Sequence, residues 1–318
     1  MKELYSIGAD IGGTTVKLAV ISTDGVIVKK WEIPTDTTNK GANITADIKT
    51  AIELALKELD LHKSSILGIG AGAPGFVDSS TGYINEAINI GWKNFDFGNE
   101  LQELTGLPVW VDNDANLAAL GENWLGAGRG VDNMIAVTLG TGVGGGIVAN
   151  GEVINGANGT AAEIGHMLVK TSGGAPCNCG RSGCLETETS ATAIVRKAKE
   201  KFQEYPDSNL SKLDNITAKD VFQAAHQGDR AAAEVLQNVT DTLGLALSNL
   251  TVVTNPSKIV LGGGVSAAGD QLLTPLKEAY DSYVLPRAGE ACTFELAELG
   301  NDAGVIGGAF LVKQYHKG

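Results

Sequence analysis

The chain has 318 residues, 43% of them hydrophobic, and carries a formal net charge of −13. That length suggests about two domains of roughly 150 residues each. The acidic balance argues against nonspecific nucleic-acid binding, which needs lysine and arginine to displace counterions, and no polybasic run points to a membrane surface.

The N-terminus MKELYSIGADIGG carries Glu3 and Asp10 among its first ten residues and has no long apolar run. It does not read as a signal peptide. It predicts strands over LYSIGAD, VKLAVIS and VIVKKWEI, with a Gly turn and then TDG between them. Over 42–60, Ile44, Ile48, Ile52, Ala55 and Leu59 fall on one helical stripe. A buried strand, SILGIGAGAP, comes next. The stretch after it reads as rich in loops until a strand at 108–111 and a helix over DANLAALGENWLG. The longest uncharged segment, 133–151, is interrupted by glycines and reads as strand–turn–strand, not as a membrane span. Helices are expected near 189–203, 217–226 and 230–253, a strand at SKIVLGGG, and a last helix over about 303–314 capped by Asp302.

Residues 8–21 and 136–149 align by eye, with Gly12, Gly13 and Thr14 over Gly140, Thr141 and Gly142. Two such hairpins, each opening one half of the chain, suggest a duplicated domain with a cleft between the copies. The expected boundaries are 1–112 plus about 303–318 for a small α/β domain and 113–302 for a large one.

The glycines are abundant, 42 in all, but the familiar nucleotide motifs are absent. G-x-G-x-x-G occurs at 70–75 and 140–145, yet neither run opens a helix, as a dinucleotide site requires. No G-x-x-x-x-G-K-[ST] occurs. DIGGTTVK is more informative. Amides of Gly12, Gly13, Thr14 and Thr15 can turn around a phosphate, and Lys17 can add a point charge. Asp10 beside a phosphate makes sense through Mg²⁺ or a water. The bland alternative is a tight β-hairpin whose Asp and Thr satisfy the turn. LGTGVGG forms a second such loop, and LGGGVS, with Gly262, Gly263 and Gly264, a third after a strand.

DIGGTTVK, GAPG, DNDANLAALGE, LGTGVGGG, EIGH and CNCGRSGCLE, in that order, resemble the ROK family of bacterial sugar kinases and sugar-responsive repressors. The similarity is greatest to its ATP-dependent, glucose-phosphorylating members. The resemblance spans essentially the whole chain. It implies an actin-like, hexokinase-type (ribonuclease H-like) fold of two α/β domains, with ATP and sugar in the cleft and the last helix packed on the first domain.

VDNDAN leaves a strand and opens a helix, so Asp112, Asn113 and Asp114 stand at a strand's C-terminal edge, where ligands gather in open α/β sheets. Read blandly, the same residues are a helix N-cap. The resemblance implies that Asp114 is the base that takes the proton of the sugar 6-hydroxyl, and that Asn113 binds a neighbouring hydroxyl. Gly72 is expected to let backbone approach the ring.

Cys177, Cys179 and Cys184 follow C-x-C-x₄-C, which is not a zinc-ribbon spacing. Four cysteines, three of them clustered, fit a metal in a reducing compartment better than a disulfide framework, and a soluble cytoplasmic protein is expected. Three thiolates with an imidazole select Zn²⁺ and fill its tetrahedron, which makes the ion structural. His166 is the one nearby histidine and, by the resemblance, the fourth ligand. Glu163 and Glu186 flank the cluster. The resemblance makes both sugar ligands, with His166 joining them through its other ring nitrogen. It further implies Mg²⁺ with ATP and a homodimer. A repressor would need a DNA-binding helix-turn-helix, for which nine residues before Asp10 are too few. A kinase for fructose, mannose or an N-acetylhexosamine, or a non-catalytic sugar binder, uses the same scaffold.

Overall fold

The structure, a computed structural model, describes residues 3–316; the outermost residues of the expected first domain, 1–2 and 317–318, lie outside that range. Its contacts divide the chain into two units. The first comprises the described residues up to Gly130, Gly146–Ala162 and those from Glu298 onward; the second comprises Val131–Gly145 and Glu163–Ala297.

In the first unit, β1 (Tyr5–Ile11), β2 (Thr15–Ser22) and β3 (Ile27–Pro34) form an antiparallel meander. Helix α1 (Ile44–Glu58) and strand β4 (Ile66–Ala73) follow. Three short antiparallel strands, β5 (Phe76–Asp78), β6 (Tyr83–Ala87) and β7 (Trp92–Phe95), make a separate sheet. Then come α2 (Phe97–Thr105), β8 (Val109–Asn113) and α3 (Asp114–Leu125). The main sheet has the order β3-β2-β1-β4-β8, with β4 and β8 parallel to β1.

β1 is buried on both faces, and its alternation sorts them. Ile7, Ala9 and Ile11 join Ile44, Ile48 and Ile52 of α1 in one core, as the helical stripe predicted. Gly8 and Gly70 face the other way. A Cβ on Gly8 would sit 1.9 Å from the Val305 carbonyl oxygen, and one on Gly70 1.9 Å from that of Gly308. The last helix therefore lies directly on the sheet backbone. Substituting Gly70→Ala forces the helix away; overpacking of this kind costs about 1–3 kcal/mol, read as a lowered denaturant midpoint at unchanged m-value.

The stretch expected to be loops holds β5 to β7 and α2. Each strand has only three to five residues and one or two inward apolar side chains, among them Val77, Ile84 and Trp92, too few to show a period. Trp92 closes the small sheet against Phe95 and Phe97, with ring centroids 4.8 and 5.0 Å away.

The second sheet has the order β11-β10-β9-β12-β13. β9 (Met134–Leu139) and β10 (Val143–Ala149) are the second expected hairpin, and β11 (Glu152–Val153) pairs with the end of β10. The second unit continues through α4 (Leu185–Thr189), α5 (Ala191–Glu200), α6 (Ala218–His226) and the 25-residue α7 (Arg230–Thr254). Strand β12 (Lys258–Gly262) runs parallel to β9; α8 (Asp270–Tyr283), the single turn α9 (Pro286–Gly289) and β13 (Thr293–Leu296), parallel to β12, complete it.

Helix α10 (Ala303–His316) returns the chain to the first unit. Its glycines meet α3 as well as the sheet: a Cβ on Gly307 would lie 1.8 Å from the Leu117 carbonyl oxygen, and one on Gly121 2.2 Å from that of Ala303. This close packing places residues 113–130 in the first unit, whereas the sequence reading had begun the second domain at 113. The expected Asp302 cap is not what the structure shows. Asp302 lies in a 3₁₀ turn, Gly300–Asp302, that runs into α10, and its carboxylate accepts from Lys30 Nζ at 2.7 and 2.9 Å.

Candidate active site and metal centre

In the first unit the expected residues gather at the C-terminal ends of the parallel strands. Asp10 of β1, Gly72 of β4 and Asp112 of β8 stand side by side in register. Burial pushes the Asp10 carboxyl above the ordinary carboxylate range, and Lys17, with Nζ 3.4 Å from Oδ2, partly offsets the rise. Gly304, in the first turn of α10, has no Cβ to collide with this carboxylate: one would lie 2.8 Å from Asp10 Cγ.

At Gly72 the missing side chain makes room for α3. A Cβ there would meet Leu117 Cδ1 at 3.1 Å and Asp114 Cα at 3.4 Å. The glycine thus seats the helix turn that carries the predicted base, in addition to whatever ligand approaches it. Asn113 is the N-cap of α3. Its Oδ1 accepts from the amides of Ala115 and Asn116 at 2.9 and 3.4 Å, and its Nδ2 donates to the Gly75 carbonyl at 3.0 Å. The bland capping reading therefore holds, and it leaves one Nδ2 hydrogen for a ligand. Asp114 is the first residue of the helix, half-buried, and its Oδ1 accepts from the Ala115 amide at 2.8 Å.

The hairpin loops hold fewer ligand-facing amides than expected. Gly12 N–H donates to the Thr15 carbonyl at 2.9 Å, and Gly140 N–H to that of Gly142 at 2.9 Å. Both amides shape their own turns, as the tight-hairpin alternative had it. Gly13 and Thr14 are exposed, Thr15 half-buried, and Thr141 exposed. Gly263 and Gly264 are exposed beyond β12 while Gly262 is buried in it. Gly263 takes φ +81°, which lets its backbone run against Leu139.

In the second unit Glu186 belongs to α4 and Glu163 precedes the 3₁₀ turn Ile164–His166. The Glu186 carboxylate tucks beneath the second hairpin. Its Oε2 accepts from the Val143 amide at 3.1 Å and occupies the space a side chain on Gly142 would need, 2.1 Å from that Cβ position. Gly142 is thus a carboxylate seat, and Glu186 is aimed by the very hairpin that was expected to hold nucleotide. Glu163 has its acidity lowered by burial; His166 opposes that rise in pKa and the Glu186 carboxylate reinforces it. The two acids therefore share one polar region.

Around His166 the expected metal ligands converge. The ligand atoms of His166, Cys177, Cys179 and Cys184 all lie within 4.8 Å of one another. His166 Nδ1 is 3.5 Å from Cys177 Sγ, and Cys179 Sγ is 3.6 Å from Cys184 Sγ. A tetrahedron with Zn–S about 2.3 Å and Zn–N about 2.0–2.1 Å has S···N edges of about 3.6 Å and S···S edges of about 3.8 Å. The donor set and these spacings fit a closed zinc site. His166 turns Nε2 toward Glu163 Oε2, 4.0 Å away, beyond hydrogen-bond distance, so the two groups face each other without a direct bond. The thiols differ. Hydrogen bonding with Arg181 lowers Cys179 to about 6, while burial, with hydrogen bonds to the other two thiols, pushes Cys184 up to about 12. Arg181 also donates to the His166 carbonyl at 2.8 Å.

Sequence reasoning gave no role to three groups that support these residues. Asp112 is buried and accepts from Asn116 and Asn155; its place beside Asn113 was the available signal. Glu188 forms a buried pair with Lys197 at 2.9 Å and accepts from the Ala175 amide at 3.3 Å, tying α4 to α5 and to the cysteine loop. Nothing in local sequence marks that pair, which depends on helix packing. No helix among the described residues is long and apolar enough to cross a membrane.

Two mixed α/β units, an aspartate at a strand-to-helix junction and a His–Cys₃ cluster beside two glutamates define the class of the actin-like sugar kinases. The ROK family profile matches residues 6–315, and the chain belongs to that family. It is 53% identical to a glucokinase of Halalkalibacterium halodurans over 99% of this chain and 96% of that one. Among solved structures it resembles the ROK hexokinase from Thermus thermophilus, with TM-score 0.85, 32% identity and 99% of each chain covered. It also resembles a ROK family glucokinase from Streptomyces griseus in complex with glucose and AMPPNP, with TM-score 0.78, 35% identity, and 98% and 99% covered.

Proposed function

We propose that the chain transfers the γ-phosphate of Mg-ATP to the 6-hydroxyl of glucose, giving glucose 6-phosphate and ADP. The observation that carries this reading is the seat of Asp114. It opens α3 immediately beyond a strand end that lies in register with Asp10, through Gly72 of the strand between them. The S. griseus glucokinase, with its glucose and AMPPNP, supports the choice of substrates.

In this reading Asp114 accepts the proton of the attacking hydroxyl. Phosphoryl transfer asks the protein mainly for alignment and charge stabilisation. Asn113 offers its remaining Nδ2 hydrogen to a neighbouring sugar oxygen. Glu163, Glu186 and His166 accept from or donate to the other hydroxyls, and Gly72 gives close backbone. Gly13, Thr14, Thr15 and Lys17 of the first hairpin, with Thr141, Gly263 and Gly264, bind the nucleotide. Gly12, Gly140, Gly142 and Gly262 shape those loops. Zn²⁺ would be held by His166, Cys177, Cys179 and Cys184 and would fix their segments to one another, and Mg²⁺, with Asp10 as its protein partner, would supply charge neutralisation for the phosphates. A homodimer in the cytoplasm belongs to the same proposal.

Carboxylates and amides select a sugar because a missing or inverted hydroxyl leaves them unpaired, and such sites discriminate by about 10⁴–10⁵. Coupled ADP release across a panel of hexoses tests the assignment. Release with glucose, abolished without Mg²⁺, is expected. Release only with fructose, mannose or an N-acetylhexosamine would reassign the substrate, and no release with any hexose would remove the kinase.

A further inference from the structure

We propose that Asp112 and Asn155 form a positioning pair for the phosphoryl transfer: one buried carboxylate that sets both the turn carrying Asp114 and the start of the segment leading to Glu163. The inference rests on the reading of Asp114 as the base.

Asp112 is the penultimate residue of β8 and 3% exposed. Its Oδ1 accepts from the Asn113 amide at 2.7 Å and from Asn116 Nδ2 at 2.8 Å. Both donors belong to the strand-to-helix junction, one on each side of Asp114. Its Oδ2 accepts from Asn155 Nδ2 at 2.7 Å. Asn155 is the first residue of a compact loop closed by the Ala161 amide on the Asn155 carbonyl at 3.2 Å. Residues 156–158 are exposed, so the loop depends on few anchors. One is Asn155. The other is Gly159, whose backbone lies so close to Val77 that a Cβ would sit 2.0 Å from its carbonyl oxygen. Glu163 follows Asn155 by eight residues.

A carboxylate is the group this place requires, because all three neighbours are donors and an acceptor-only side chain satisfies them together. Neutral asparagine at 112 keeps Oδ1 for the junction and presents an NH₂ to Asn155, whose amide must turn over to accept from it with Oδ1. An aspartate at 155 alone sets two carboxylates against each other. Made together, the two changes restore a complementary pair, with the amide at 112 donating to the carboxylate at 155.

Four variants test this: Asp112→Asn, Asn155→Asp, the double variant, and Asn155→Ala, which leaves the junction bonds of Asp112 in place. Misplacement by about 1 Å costs about 10²-fold in rate, so Asn155→Asp, which sets two carboxylates together, is expected to lower kcat about 10- to 100-fold at unchanged KM for ATP, and Asp112→Asn less, because Asn155 can turn its amide over. Asn155→Ala should lower it less, and the double variant should recover to within about a few-fold of the parent. Unfolding midpoints measured alongside separate rate from folding. Recovery of kcat in the double variant supports the pair, even if Asp112→Asn alone is too unstable to assay. Unchanged kcat in folded Asn155→Asp and Asn155→Ala, or no recovery in a folded double variant, overturns it. Failure of the underlying reading shows separately, as near-normal turnover of Asp114→Ala.

Discussion

Substituting Asp114→Ala is expected to lower kcat for glucose phosphorylation by about 10²–10⁴-fold, the usual contribution of a general base, with the protein remaining folded. The structure explains why these effects separate. The N-cap of α3 is Asn113, whose side chain holds two helix amides and the Gly75 carbonyl without help from Asp114. The substitution removes from the helix, among other contacts, an acidic group in the first turn and the bond from the Ala115 amide; a charge at a half-buried helix end contributes up to about 2 kcal/mol. Coupled ADP release gives kcat, and thermal unfolding followed by circular dichroism gives the folded fraction. Near-normal turnover in a folded variant would take Asp114 out of the reaction.

Removal of the metal, by chelation or by Cys184→Ser, is expected to abolish glucose phosphorylation while most of the helix signal survives. Structural zinc contributes about 10–16 kcal/mol in small peptides that have no other core. The second unit has one: Ile194, Leu236, Leu243 and Leu247 are buried on helices that do not touch the ligand set in sequence. The loss falls on geometry. Cys184 is the residue directly before α4, and Glu186 lies in the first turn of that five-residue helix. His166 closes the turn that Glu163 opens. Freed from a common ion, the segments bearing the two carboxylates are no longer fixed to each other. Metal content by atomic absorption, activity and far-UV circular dichroism on one preparation decide the matter; full activity in metal-free protein would contradict it.

Much of this architecture is written in local pattern. The stripe Ile44, Ile48, Ile52 predicts α1 because it repeats at helical spacing on a face that becomes core. The passage from VDN to DAN predicts a strand yielding to a helix because asparagine and aspartate cap helices, and Asn113 does so. The three clustered cysteines Cys177, Cys179 and Cys184 point to a metal because few other uses need three thiols together, and the resemblance to the ROK family adds His166, which the structure brings beside them.

What the sequence conceals depends on contacts between distant segments. Nothing in GADIGG says that the amide of Gly12 will close its own turn, nor in LGTGVGG that Gly142 will seat Glu186 from 44 positions away. The strands between 76 and 95 are too short to show alternation. The attachment of α3 to α10 rests on backbones meeting at Gly121 and Gly307, and glycine carries no hydropathy signal of a buried face. Asp302 looks like a cap until Lys30 is found beside it.

The central claim is that Asp114 takes the proton from the sugar 6-hydroxyl as phosphate arrives from a nucleotide at the first hairpin. A crystal structure with glucose and a non-hydrolysable ATP analogue tests it most directly. The account predicts glucose O6 within hydrogen-bond distance of an Asp114 oxygen and the phosphates against the Gly13–Thr15 backbone. Glucose bound with O6 turned away from Asp114, or phosphates seated elsewhere, would contradict it.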